Sequence, residues 1–383
     1  MASPPAVGET RLLQQFKKYI ADDDRLRPLR EGAFDYFREN GFPTPRLEEW
    51  KYTNVAVLGQ KDWTLPKPGA SSELDDDMLR LLSRFNFTRN GLAALNLGLA
   101  KIVAVRIPKD TSVTEPIHLS FNGGTDGEAS FRHYLVIAEA GSKATLVERY
   151  GSTAKSWVNT SIQILVEDNA SLTHYRVQKD SAEAFHTGIT EVTLGRGSRY
   201  DSTNINLGAA LSRHDIDVRF TADGGEAAVD GLYMLNGTQH SDTHSVIDHM
   251  VPNCTSRQIY RGVLNDKSRG VFNGKVFVRE NAHGTDAQQS NKNLLLSNDA
   301  RVDTKPQLEI FNDDVKCSHG ATVGQLEEEE LFYLLTRGLP DPLARNLLTY
   351  GFAEEIINKV AIDAIRSELD EAVLNRLGTR LDG

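Results

Sequence analysis

The chain has 383 residues, 39% hydrophobic and 25% charged, with 53 acidic against 43 basic side chains and a formal net charge of -10. That length can bury a substantial core and accommodates one large domain or two to three smaller ones. The acidic balance argues against broad nucleic-acid affinity, which needs a concentrated excess of Lys and Arg. Two cysteines, Cys254 and Cys317, are too few for a disulfide scaffold or a four-cysteine metal site.

Residues 12–37 carry Leu12, Phe16, Ile20, Leu29, Ala33, Phe34 and Phe37 at helical spacing. This predicts two amphipathic helices, broken near Asp22 and closed by Asn40 and Gly41, and Pro43 and Pro45 prevent resumption. The next stretch, residues 46–54, mixes charges with Trp50 and Tyr52 and reads as a docking segment whose rings pack on a neighbour. A linker rich in Pro, Gly, Ser and Lys, over residues 61–73, precedes a short helix with Met78, Leu81, Leu82 and Phe85 on one face. Residues 1–8 lack the apolar run of a secretory signal, and nowhere do about 18 uncharged apolar residues run together as a membrane span requires. A reducing, cytoplasmic setting is the expectation.

From about Lys101 the period changes to two, as in Val103, Val105 and Ile107. Small or turn-prone pairs then recur: Gly141-Ser142, Ala170-Ser171, Gly197-Ser198, Gly225-Glu226, Cys254-Thr255 and Ala282-His283, spaced 29, 27, 28, 29 and 28 residues apart. A β-solenoid accounts for so even a spacing, because each coil buries its inward side chains only against the coils on either side. A β-sandwich is the alternative. Helical spacing returns after Lys316, with a stripe of Leu326, Leu331, Leu334 and Leu335 ending near Arg337 and Gly338. A fresh start at Asp341-Pro342 leads to Leu343, Leu347 and Leu348; Gly351 is a point of bending, and a last helix carries Ile365, Leu369 and Val373. The expected organisation is a helical region with linker over residues 1–99, a β core over 100–315 and a helical module over 316–383. That last module is small enough to depend on packing against the β core.

No phosphate-binding loop of the Gly-x-x-x-x-Gly-Lys-Ser/Thr form occurs, and Gly195-Arg196-Gly197 lies in a β turn without strand-to-helix context. His240, His244 and His249, with Asp242 and Asp248, read as a polar face of hydrogen-bonding histidines rather than a metal site; on an unbroken strand His240 and His244 share a side that His249 does not. The acids Glu327 to Glu330 read as a solvated helix start, and Cys254 as a packed thiol. Carboxylate pairs are plentiful, so a carbohydrate-cleaving cleft is a competing reading that residue spacing alone does not decide. Cys317 and His319 differ: two apart in an extended segment, they point the same way, and thiolate with imidazole can ligate iron or zinc. Two donors make only half a site. A buried cysteine beside a turn histidine is the plainer alternative.

The stretch Cys317-Ser318-His319-Gly320-Ala321-Thr322-Val323-Gly324, then Leu331-Phe332-Tyr333-Leu334-Leu335-Thr336-Arg337-Gly338, the segment over residues 344–357 and Trp50-Lys51-Tyr52-Thr53 together resemble the SufB/SufD family of iron–sulfur cluster assembly proteins. The helix, β core, helix order agrees, and the paucity of cysteines places the likeness on the SufD side. The resemblance implies a mainly β fold, a right-handed parallel β-helix core flanked by N-terminal and C-terminal α-helical modules. It implies a non-catalytic subunit of an ATPase-containing complex, with one SufB, two SufC ATPases and one SufD, served indirectly by a cysteine desulfurase. It places Cys317 and His319 at the SufB interface beside a transient iron–sulfur cluster, and the SufC-binding surface on Leu331, Phe332, Tyr333, Arg337, Leu347, Tyr350, Phe352 and Ile356. No cofactor bound stably by the chain alone is implied; a reduced flavin in the complex and a homodimer of the isolated chain are compatible with it. A β-helical carbohydrate-active enzyme and a purely structural interaction protein are the competing functions.

Overall fold

A computed structural model describes residues 7–19, 25–65, 71–122 and 124–377. The expected helix break at Asp22, residues 66–70 of the expected linker and residues 1–6 lie outside these. Among these described residues, sixteen strands, from β1 (Lys101–Ile107) to β16 (Val315–Gly324), form two eight-stranded sheets. One contains the odd-numbered strands and the other the even-numbered strands, each in sequence order and parallel wherever two strands pair. The chain therefore alternates between sheets, one strand to each, and returns beside its starting strand after a full coil. This is a parallel β-solenoid, and the sandwich alternative falls because its strands would pair antiparallel.

The evenly spaced turns line one corner of the coil. Gly141, Asn169, Gly197, Gly224, Asn253 and Gly284 all adopt left-handed backbone there, with φ between 57 and 75°, which Gly and Asn tolerate best. Adjacent corners hydrogen-bond: Gly141 N–H donates to Asp168 O (2.9 Å), Asn169 to Arg196 O (2.7 Å) and Gly197 to Asp223 O (3.0 Å). In several coils the left-handed residue is one position away from the small pair visible in the sequence, as with Asn169 before Ala170 and Gly224 before Gly225.

Alternate residues fill the interior. Near the glycine corner they are apolar, including Val166, Leu194, Phe220 and Val278, each worth about 1.5–3 kcal/mol when removed from water. Farther along each strand they are polar and bond to one another. His174 joins Glu148 (2.9 Å) to the Tyr200 hydroxyl (2.8 Å), and His186 joins Asp180 (2.9 Å) to Arg176 (2.7 Å).

Helices cover both outer faces. Outside the odd-strand sheet lie α1 (Val7–Tyr19), α2 (Arg27–Asn40), α3 (Ala56–Gln60), α4 (Asp76–Ser83) and α5 (Gly91–Leu99), with α4 and α5 against its strands and α1 and α2 packed on α5. The predicted stop at Gly41 is present: its φ is 59° and its N–H returns to Phe37 O. Helix α5 is buried along its whole length and so has no amphipathic stripe to betray it; Asn90 caps it by accepting from the Leu92 and Ala93 N–H groups. Trp63, at the start of the expected linker, is core instead, 5.8 Å from Trp157 between ring centres. The indole N–H bonds to Leu58 O at 2.8 Å.

On the even-strand sheet, α7 (Asp341–Ile357) and α8 (Asp363–Arg376) bury Ala353, Ile356, Ile357, Ile365, Leu369 and Val373 against Tyr175, Val177, Ile205 and Leu232. Arg261 fixes α7 through two bonds to Glu355, at 2.8 and 2.7 Å. Helix α7 runs through Gly351 without interruption. Residues 316–324, expected within the helical module, are instead the last strand: β16 pairs along its length with β14 (Thr285–Leu295), and helix resumes only at α6 (Glu328–Thr336).

Candidate functional site

A solenoid needs its ends closed, because an uncovered last coil exposes both its interior and a row of backbone donors and acceptors. At the first coil, Ser72 N–H bonds to Ile102 O (2.9 Å), and the Ser71 and Ser72 hydroxyls accept from Ile102 and Ala104 N–H. The last coil is different. Strands β15 (Arg301–Ile310) and β16, like the two strands of the first coil, each have a single neighbour in their sheets, but here the side chains of β16 from Ser318 onward are exposed. Ile310, Phe311 and Val323 add exposed apolar surface at the same end.

Cys317 and His319 face into this open mouth. Cys317 lies beside Ala287 and His319 beside Gln289, both buried inward positions of β14. Val302, Thr304 and Pro306 approach from β15, and the Thr304 hydroxyl bonds to Asn291 Oδ1 at 2.8 Å. Burial, reinforced by the Asp286 carboxylate, pushes the Cys317 thiol above its ordinary range, only partly opposed by a bond from the Ala287 backbone. The resting group is therefore a thiol, which becomes a good metal ligand once a cation displaces its proton. The structure thus sets the two on one side of a strand, as the spacing predicts, and the other cysteine is remote from them: Cys254 is buried in a corner with its Sγ directed to Pro252 O (3.3 Å). Among the described residues, no group of three or more His, Cys, Asp or Glu side chains is arranged to hold a metal ion.

The histidines on β11 (His240–His249) have another task. His249 points inward and stacks on Phe220 at 4.5 Å, and burial lowers it to about 4. His240 and His244 point outward and receive the docking segment. Thr53 bonds to His240 (2.8 Å) and to Asp242, while Glu49 bonds to His244 (3.2 Å). The His244 bond holds Glu49 down at about 2; burial lowers His244, but Asp242 beside it outweighs burial and raises it. Arg213, itself buried, joins Asp215, Asp242 and the Glu49 carbonyl and lies 4.2 Å from the Trp50 ring centre. The ring-bearing segment thus packs on the chain's own solenoid. Sequence reading missed Arg213 and Asp242 as its anchors, since nothing local pairs residues 164 and 189 positions apart. A cavity of about 250 Å³ beside it is lined by Asp215 and Asp217, but Arg213 and Arg89 hold these acids, leaving no bare carboxylate pair of the glycosidase kind there.

The residues expected to bind an ATPase separate into two sets. On α6 only Leu331 is buried, while Phe332 and Tyr333 are 67% and 55% exposed and Arg337 stacks on Tyr333. On α7, Leu347 is exposed, but Tyr350 and Phe352 are half-buried and Ile356 is wholly buried against the sheet. Ile356 is a packing residue in this chain. A groove of about 640 Å³, lined by Val323, Gln325, Leu326, Leu347, Gly351 and Phe352, separates the end of β16 from α7.

Residues 121–352 match the family model described as SUF system FeS cluster assembly, SufBD core domain, and residues 10–78 match the SufBD protein N-terminal region. A SufBD family protein of Synechocystis, slr0076, is 35% identical over 87% of this chain and 76% of its own length. The iron–sulfur cluster assembly protein SufD of Escherichia coli is 31% identical over 98% of both chains. The chloroplastic protein ABCI7 of Arabidopsis thaliana is 31% identical over 84% of this chain and 73% of its own. With a core model spanning more than half of the residues and a solenoid built around the same stretch, the chain belongs to the SufBD family of iron–sulfur cluster assembly proteins.

Proposed function

We propose that the chain is the SufD-type subunit of a cytoplasmic iron–sulfur assembly scaffold, pairing through its open solenoid end with a SufB-type partner. The observation that carries this reading is the uncovered last coil, where two unpaired strand edges flank Cys317 and His319. A second solenoid placed against β15 and β16 would satisfy the free backbone groups and bury Ile310, Phe311 and Val323. The nascent cluster is cargo of this junction: Cys317, on losing its proton, and His319 supply two donors, and the partner supplies the rest. The apolar and aromatic surface of α6 with Leu347 receives a SufC-type ATPase, in a complex of one SufB, two SufC and one SufD. A desulfurase supplies sulfide, and no flavin site is assigned to this chain. Because only three residues join the end of β16 to α6, a displacement of the C-terminal helices by the ATPase is transmitted to the strand that bears Cys317.

Anaerobic co-purification with SufB-type and SufC-type partners, followed by iron and sulfide analysis, tests the reading. The Cys317→Ala/His319→Ala variant is expected to assemble normally and to hold less cluster. Equal cluster content in an intact complex would remove these residues from the chemistry. Unchanged thiol crosslinking at Cys317 on adding ATP would refute the coupling.

A further inference from the structure

Inside the solenoid, Gln258 on β12 (Thr255–Leu264), Gln289 on β14 and His319 on β16 stand on consecutive rungs of one row. The row is a hydrogen-bonded ladder with a direction. At its inner end Ser245 donates to Gln258 Oε1 (3.1 Å) and Gln258 Nε2 donates back to Ser245 (2.9 Å). On the next rung, Gln289 Nε2 donates to Gln258 Oε1 at 2.6 Å. The amide nitrogen of Gln289 is thus spent toward the interior, and its carbonyl oxygen is offered to the following coil. That oxygen is buried and has no partner.

The neighbouring strand leaves room for the amide in this pose. A Cβ on Gly274 would lie 2.2 Å from Gln289 Nε2, so the glycine makes the space the amide occupies. In the last coil the residue beside Gly274 is Pro306, which carries no donor, and the residue beside Gln289 is His319. Thr304 is already committed to Asn291. A buried acceptor without a donor is costly; Asn291 Nδ2, two residues along β14, is itself without a partner and does not meet it, and on this rung an imidazole N–H is the group able to do so.

We infer that Gln289 is a positioning residue for His319: an imidazole N–H donates to Gln289 Oε1, and the other ring nitrogen presents its lone pair to the mouth as the metal-ligating atom. Histidine ligands commonly donate their second nitrogen to a carbonyl or carboxylate, which sets tautomer and ring orientation. Here the acceptor is built into the coil below. The inference rests on the reading of His319 as a ligand.

The test is Cd²⁺ titration of the full chain, followed through the thiolate-to-cadmium absorption, in a double-mutant cycle. Gln289→Met is expected to weaken Cd²⁺ binding about tenfold or more, and to change it by less than about twofold in a His319→Ala background. Gln289→Asn, which withdraws the acceptor by one methylene, repeats the pattern should the Met variant fail to fold. Equal weakening with and without His319 would make Gln289 merely structural and overturn the inference. Affinity that depends on His319 but ignores Gln289 would overturn it while sparing the ligand reading. Affinity indifferent to both Cys317→Ala and His319→Ala would remove that reading and the inference together.

Discussion

Glu191 is expected to make this protein less stable as pH rises through neutrality, and Glu191→Gln should remove that loss. Its carboxyl lies on the outer face of the odd-strand sheet beneath α4, 8% exposed, beside Asp217 on the neighbouring strand, and one of its oxygens has no partner. Burial first, and the Asp217 charge second, push it from 4.5 up to about 7, against the opposing pull of Arg89 and Arg219. A proton held more tightly by the folded chain means that the unfolded chain ionises first as pH rises. Stability is therefore undiminished below about pH 4.5, falls by about 1.4 kcal/mol per unit between there and about 7, and is lower by about 3 kcal/mol beyond. Glutamine keeps the shape and an acceptor for the Asn86 backbone N–H, and removes the charge. Chemical denaturation of both proteins across this range should give a stability gap near zero at the acid end, rising to about 3 kcal/mol in favour of the variant above pH 7. A gap independent of pH, or a variant less stable at the alkaline end, would refute the assignment of a proton to the buried carboxyl.

Gly231→Ala should destabilise by about 1–3 kcal/mol or more, measured by thermal melting, because the new methyl would lie 2.2 Å from the Tyr260 ring inside the coil. A neutral result would mean that Tyr260 can swing aside. Phe332→Ala with Tyr333→Ala should leave the melting temperature within about 2 °C, since neither ring is buried, and should abolish co-purification of the SufC-type ATPase. Retained ATPase binding would move that surface elsewhere.

Much of the architecture is legible in the order of residues. Turn-prone residues every 27 to 29 positions mark one corner of six successive coils, because a left-handed backbone is required there and Gly or Asn supplies it locally. The amphipathic helices α2, α4 and α8 show their buried stripes for the same local reason. Helix α5 did not, being apolar on every side, and Trp63 was hidden in a composition that otherwise reads as linker. The interior polar residues were opaque as well: Glu148, His174, Arg176 and His186 alternate as a solvated face would, yet they point inward and satisfy one another.

What the sequence determined by itself was the coil length, the sites of its corners and the parity that sets Cys317 and His319 on one side of a strand. Tertiary structure alone decided that this strand is the last of its sheet, that its inward side opens to solvent, and that Gln289 stands beside His319. The division has a physical cause. Parity and turn conformation are properties of a few consecutive peptide units, whereas a residue's neighbour in the next coil lies about 30 positions away and depends on register accumulated through every preceding turn.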